Sequence, residues 1–266
     1  MTTSTKPLLG KRIVVTRAPE QAGEITRLLE QLGAEVILLP AVAFSAPADP
    51  HPFDRALHEL GDFDWILFTS QNAVRFSASR LRQIGLPATV KQVAVVGPAT
   101  ADAASREGFR VDYVATHSTA HALAGELGES LNGCTVFLPR SDRSDPELVD
   151  ALRETGATVT DVIAYRTVAP VVSDPVALER VRHADFDVAI FSSPSAFQNL
   201  DGMLGVGTLA KLANKVRYAA IGPTTARAMR GAGVRVHIEA EEASSAGLAD
   251  AIVKYFEEHP APSRHA

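Results

Sequence analysis

Two arginines stand where a guanidinium could meet an anion. Arg17 closes the apolar run Ile13-Val14-Val15-Thr16, and Arg140 closes Thr135-Val136-Phe137-Leu138-Pro139. At a strand end, such a fork suits carboxylate or phosphate recognition. An ion pair with Glu20 or Asp142 is the structural alternative. Hydroxyl groups and small turns recur at matching distances. From 17 to 70 and from 140 to 193, both 53 positions, each arginine leads to a serine behind a second apolar run. The two segments are Trp65-Ile66-Leu67-Phe68-Thr69-Ser70-Gln71-Asn72 and Val188-Ala189-Ile190-Phe191-Ser192-Ser193-Pro194-Ser195. A third pair is Val95-Val96-Gly97-Pro98-Ala99-Thr100 against Ala220-Ile221-Gly222-Pro223-Thr224-Thr225. Ser141 follows Arg140, while Thr119, Ser244 and Ser245 open later helices. Each turn is expected to cap a helix. The N–H groups left over point outward with the positive end of the helix dipole and form an anion site. Any single serine or Gly-Pro is equally a plain cap or tight turn. Recurrence in both copies favours binding, although duplication alone would preserve caps.

Other chemistries find little support. Gly-x-Gly-x-x-Gly follows no strand; Gly202, Gly205 and Gly207 are wrongly spaced and read as loop. The phosphate-loop pattern ending in Gly-Lys-Ser/Thr is absent. His117 and His121 have metal-like spacing without a third ligand. Asp142, Asp145 and Glu147 read as favourable charge at a helix start. No Ser–His–Asp arrangement occupies the strand-end turns. The sole cysteine, Cys134, rules out a disulfide or a Cys-based zinc site within one chain and reads as an inert core thiol. A net charge of −5 argues against a nucleic-acid partner. No apolar stretch approaches ~18 residues, so no membrane span is expected and the cytoplasm is the default location.

The elements that must position these residues follow a simple rhythm. Residues 10–17 read as a buried strand, 19–32 as a helix with apolar Ile25, Leu28, Leu29 and Leu32, and 36–39 as the next strand. Prolines 47, 50 and 52 mark a loop through 46–52. Then come a helix over 53–60, a strand over 65–69, a helix over 70–82, a strand over 93–96, a helix over 100–107, a strand over 111–114 and a helix over 119–131. The pattern restarts at 133–140. Leu152-Arg-Glu-Thr-Gly-Ala-Thr-Val159 mirrors Leu29-Glu-Gln-Leu-Gly-Ala-Glu-Val36. Residues 164–168 are extended, 169–175 linker-like, 245–256 a helix and 259–266 a tail. Strand–helix alternation, twice over, predicts two open α/β domains with mostly parallel sheets.

The paired Phe-Thr-Ser and Phe-Ser-Ser strands with Asn72-Ala73 and Ser195-Ala196, the two Gly-Pro turns and Ala164-Tyr165-Arg166-Thr167 together resemble the uroporphyrinogen-III synthase family, over about residues 10–255. The resemblance implies a cofactor-free, monomeric enzyme of tetrapyrrole synthesis. Such an enzyme converts linear hydroxymethylbilane to uroporphyrinogen III, losing water and inverting the last pyrrole through a spiro intermediate. It also implies two α/β domains joined by a two-stranded linker crossed twice. One domain would be discontinuous, 1–40 plus 171–266; the other would be 44–167. The linker segments would be about 41–44 and 164–170. The substrate carries eight carboxylates and four pyrroles, so an acidic protein would bind it through local donors. Tyr165 matches the family tyrosine that faces the cleft and is the favoured donor to the leaving hydroxyl; packing in the linker is its structural alternative. Transient contact with the preceding pathway enzyme is a further implication. The competing readings are a small-ligand sensor and a nucleotide-dependent enzyme, the latter weakened by the missing glycine fingerprint.

Overall fold

The computed structural model describes residues 6–117, 119–144, 147–171 and 174–259. In chain order the first elements are β1 (Arg12–Val15), α1 (Pro19–Gln31), β2 (Glu35–Leu38), β3 (Ala43–Ser45), α2 (His51–His58), β4 (Trp65–Phe68), α3 (Gln71–Ile84), β5 (Gln92–Val95) and α4 (Pro98–Arg106). They continue with β6 (Tyr113–Val114), α5 (Ala120–Leu127), β7 (Thr135–Ser141), α6 (Glu147–Glu154), β8 (Thr158–Val168), α7 (Pro175–Arg182) and β9 (Val188–Phe191). The last are α8 (Pro194–Leu204), α9 (Thr208–Leu212), β10 (Arg217–Ala220), α10 (Pro223–Gly231), β11 (Ile238–Glu239) and α11 (Ser245–Glu258).

The chain forms two compact units, Met1–Ala43 with Val168–Ala266, and Phe44–Thr167. The sheet of the first runs β11-β10-β9-β1-β2 and that of the second β3-β8-β7-β4-β5-β6. Strands β1, β2, β9, β10 and β11 pair in parallel, as do β4, β5, β6, β7 and β8. Read from β6, the second sheet repeats the first, with β3 added outside β8. The segments expected as linker strands appear as β3 and the end of β8, adjacent in that sheet.

Local chemistry accounts for most elements. Ile13, Val14, Val15 and all of β9 are buried, as befits strands covered on both faces. In α1, Pro19 occupies the first turn and Ala22, Ile25 and Leu29 face inward at helical spacing. Gly33 and Gly156, at matching places in the repeat, adopt φ 96° and 88° after their helices. This left-handed turn favours glycine. At Gly33 an added Cβ would also come within 2.8 Å of Lys6 Cβ.

Several expectations need correction. Helix α2 starts at His51 and takes in Pro52, because proline in a first turn sacrifices no hydrogen bond. The strand expected over 111–114 keeps only Tyr113–Val114. The helix expected over 119–131 stops at Leu127, and a 3-10 turn from Gly128 to Leu131 follows. Gly202 lies within α8, not in a loop. Asp174 and Pro175 begin a helix, with Asp174 capping Ala177 N at 2.9 Å. Cys134 is half-buried at the edge of its core, not inside it. Asp145 and most of the expected tail lie outside the described residues.

Candidate functional site

Parallel strands end on one side, so each sheet gathers its strand-to-helix turns along its carboxyl edge. In the first unit the neighbours β11, β10, β9 and β1 bring Ser244, Gly222, Ser193 and Arg17 into a row. In the second, β6, β5, β4 and β7 do the same for Thr119, Gly97, Ser70 and Arg140. The row alternates two kinds of helix start. Ser70, Thr119, Ser193 and Ser244 cap their helices, accepting from Ala73, Ala122, Ala196 and Gly247 N at 3.0, 3.1, 3.1 and 3.0 Å. Gly97 and Gly222 offer no cap and sit fully extended, with φ 171° and 173°. Any residue adopts that backbone. Glycine's contribution is a missing side chain at the helix start; Pro98 and Pro223 carry no N–H, and Thr100 N and Ala101 N already donate to Gly97 O, as Ala226 N does to Gly222 O.

Arg17 is held inside the first row. Its Nε donates to Ser192 Oγ at 2.7 Å and its Nη1 to Ser245 Oγ at 3.2 Å. The expected pair with Glu20 does not form, and Arg17 makes no ion pair among the described residues. Burial pulls its pKa down, and the charge of Glu24 opposes this. A guanidinium stays protonated regardless. The first unit therefore places a partly desolvated positive charge, without an ion pair among the described residues, beside two helix starts. Thr16, next to it, is consumed internally: its Oγ1 donates to Ile190 O at 2.6 Å.

Arg140 does not copy this arrangement. Its Nε and Nη2 both donate to Asp161 Oδ2, at 3.0 and 2.7 Å. The partner foreseen for it was Asp142; the observed one projects from the paired strand β8. Both arginines were expected to offer themselves to a ligand; of the two, Arg140 is the one whose charge is paired, with Asp161.

Tyr165 sits in β8 with 6% of its surface exposed. Its ring packs on Phe76 at 5.4 Å and meets Phe44 edge-on at 5.8 Å. Its hydroxyl lies 3.0 Å from Ser70 Oγ, where either group can donate. Burial raises the phenol pKa, hydrogen bonding from Ser70, Ser141 and Asn72 lowers it, and the Asp142 charge adds to the rise. The net shift is upward, so the phenol is protonated at neutral pH. Within its unit the ring is mostly core, and its hydroxyl reaches the carboxyl edge of the sheet at Ser70.

The remaining candidates divide by exposure. Thr119 and Thr224 are exposed, and Thr69, Ser70, Gln71, Ser192, Ser193, Ser195 and Ser244 are half-buried on their turns. Asn72, Thr100, Ser141, Thr225 and Ser245 are buried, with 7, 6, 8, 3 and 5% exposed. Ser141 in particular is fully engaged: it donates to Asp142 Oδ1 at 3.2 Å, accepts from Arg143 N at 3.2 Å and lies 3.3 Å from Thr167 Oγ1. The hydroxyl expected to serve a ligand is thus one with three internal contacts. Sequence reasoning passed over Asp161, knew Thr167 only as part of the Ala164–Thr167 motif, and read Asp142 as helix-start charge or as a partner for Arg140. A polar residue inside an apolar strand was the available signal for Asp161. His117 and His121 face Glu126 and Glu147 at 3.5 and 4.0 Å, and no metal-binding group of three or more appears among the described residues. No helix among them is long and apolar enough to cross a membrane.

Comparison with known proteins points one way. The sequence profile of the family described as "Uroporphyrinogen-III synthase HemD" matches residues 23–250. The uroporphyrinogen-III synthase of Synechococcus elongatus is 31% identical over 94% of this chain and 97% of its own. A putative uroporphyrinogen-III synthase of Methanothermobacter thermautotrophicus is 31% identical over 84% of this chain and 90% of its own. Among solved structures, a mutant uroporphyrinogen III synthase from the extremely thermophilic bacterium Thermus thermophilus superposes with TM-score 0.63 at 20% identity, covering 94% of this chain and all of that one. The Helicobacter pylori enzyme gives TM-score 0.61 at 17% identity over 92% of this chain and 99% of its own. At such identities the structures establish the fold.

Proposed function

Because the chain belongs to the uroporphyrinogen-III synthase family, we propose that it closes hydroxymethylbilane to uroporphyrinogen III, with the strand-end turns described above as carboxylate-binding groups. The cyclisation is the family's activity. The observation that carries our reading of the site is Arg17, a partly desolvated guanidinium flanked by serine-capped helix starts and without an ion pair among the described residues. A carboxylate of the substrate supplies the missing negative charge. The N–H groups left over at the helix starts, beyond those already bonded to Gly97 O and Gly222 O, receive further carboxylates in this reading without adding net positive charge to an acidic protein.

The chemistry asks little of side chains beyond one proton. The leaving hydroxyl must be protonated as its C–O bond breaks, giving water and an electrophilic azafulvene. Ring closure and rearrangement then release a proton, so the enzyme ends as it began. Tyr165 and Ser70 form the hydroxyl pair we assign to this transfer. A neutral phenol is the required form, and burial keeps it so. The discontinuous and continuous units act as the two domains of a cofactor-free cytoplasmic monomer; size-exclusion chromatography tests the monomer.

The decisive assay incubates hydroxymethylbilane with the protein and separates the type I and type III isomers after oxidation. Type III product is expected; type I alone means the chain lacks synthase activity. Within an active enzyme, Tyr165→Phe is expected to lower kcat by roughly tenfold or more, the low end of what a positioned proton donor contributes. A folded Tyr165→Phe with full turnover removes Tyr165 from the reaction.

A further inference from the structure

The placement of Tyr165 is not what regular β8 pairing would produce. Side chains alternate faces along a strand, and a one-residue slip moves the rest to the other face. Val162 and Ala164 pack into the core of Phe53, Phe68 and Phe137, whereas Ile163 between them is 41% exposed. Strict alternation would send Tyr165 out with Ile163. The register steps instead: Arg140 pairs with Ile163, but Ser141 pairs with Tyr165, leaving Ala164 as the extra residue. Such a bulge re-aims side chains. Here Ala164 and Tyr165 both turn to the same core, and the phenol reaches Ser70.

One carboxylate ties down the chain on both sides of this bulge. Asp142 Oδ1 accepts from Thr167 N at 2.9 Å and from Ser141 Oγ at 3.2 Å. Its own N–H donates to Tyr165 O at 3.1 Å. Ser141 Oγ lies 3.3 Å from Thr167 Oγ1, closing the loop of contacts. The arrangement joins the last residues of β7 to the residues flanking Tyr165, and leaves the ring itself to Phe44 and Phe76.

We infer that Asp142 is a positioning residue for Tyr165: through Ser141 and Thr167 it holds the β8 bulge that keeps the phenol against Ser70. Its carboxylate's hydrogen bonds go to Ser141 and Thr167, not to the phenol, although its charge also adds to the rise in the phenol's pKa. The inference deepens the role given to Tyr165 above and rests on it. Its consequence is a coupling: removing the Asp142 carboxylate costs turnover only while the phenol is present.

The test is a double-mutant cycle on the full chain, read as kcat and KM for hydroxymethylbilane. Asp142→Ala removes the oxygen that accepts from Thr167 N and Ser141 Oγ, which Asn would keep; Ser141→Ala is the second probe should Asp142→Ala fold poorly, with circular dichroism as the check. Each is expected to lower kcat about fivefold to tenfold with KM little changed, the signature of a lost transition-state interaction. In a Tyr165→Phe background, neither should lower kcat further. Losses that multiply independently of Tyr165, or a change confined to KM, overturn the positioning role while Tyr165 keeps its own. Unchanged kcat in Tyr165→Phe alone overturns the inference together with the reading beneath it.

Discussion

Residues of one type, at matching places in a repeat, have parted roles. Arg17 bonds two serine hydroxyls and lacks an ion pair among the described residues, whereas Arg140 is tied to Asp161. Arg17→Ala is therefore expected to weaken binding of uroporphyrinogen III by roughly tenfold or more, since hydrogen bonds to a charged group contribute about 1.5–3 kcal/mol. Arg140→Ala should leave that affinity alone and instead lower stability by about 1–2 kcal/mol, because a half-buried Asp161 loses two charge-assisted hydrogen bonds and keeps only the longer pair with Arg153. Calorimetry with the product and denaturant unfolding separate the two; equal affinity losses would make the arginines equivalent after all. Their strand-end positions were legible in the sequence. Their partners were not, because Ser192 lies 175 residues from Arg17 and Asp161 reaches Arg140 only through strand pairing.

At the scale of elements, the turns depend on loops being held open in a fixed shape. The clearest latch is Glu126 in α5, whose carboxylate accepts from Tyr113 Oη at 2.9 Å, Thr116 N at 2.8 Å and His117 N at 3.3 Å. These bonds, led by that from Thr116 N, pull its pKa from 4.5 to about 2. A depressed carboxylate stabilises the fold above its unfolded pKa, and the contribution is lost as pH falls through the folded one. The β6–α5 loop leading to Thr119 should accordingly hold at pH 5 and loosen towards pH 2, values that bracket 4.5 and about 2. Amide resonances of Thr116 and His117 should titrate in that window, and Glu126→Gln should remove the titration. A midpoint near 4.5 in the wild type would show that the latch does not form. Turn chemistry made these helix starts readable in the sequence: Ser70, Thr119, Ser193 and Ser244 all cap as their residue types suggest. The early stop of the Thr119 helix was less readable, for it depends on Gly128 leaving helical geometry at φ 41°.

For the whole molecule, repetition in sequence and division in space do not coincide. The copies restart at residue 133, yet the compact units divide at Ala43/Phe44 and Thr167/Val168. Each sheet completes itself with strands from both copies: β1 and β2 join β9, β10 and β11, and β7 and β8 join β4, β5 and β6. Only the second unit is continuous in sequence, and it owns two buried clusters, around Phe53, Phe68 and Phe137 on one face and Trp65, Leu67 and Leu138 on the other. Residues 44–167 expressed alone are expected to unfold cooperatively on heating, as a unit with its own core should. The first unit lacks that option, since β1 pairs with both β2 and β9. A non-cooperative melt of 44–167 would show that the second unit depends on the rest of the chain.

The sequence by itself determined the alternation of strands and helices, the parallel α/β class, the strand-end turns and the family, because apolar run length, helical spacing and caps are properties of neighbouring residues. Tertiary structure alone decided which arginine keeps its charge free of an ion pair among the described residues, that Ser141 is buried against Asp142 and Thr167, and that Tyr165 turns into the core to meet Ser70. Those outcomes follow from strand order and from a one-residue step in register at Ala164. Such a step changes no local propensity, yet it selects the face every later side chain occupies.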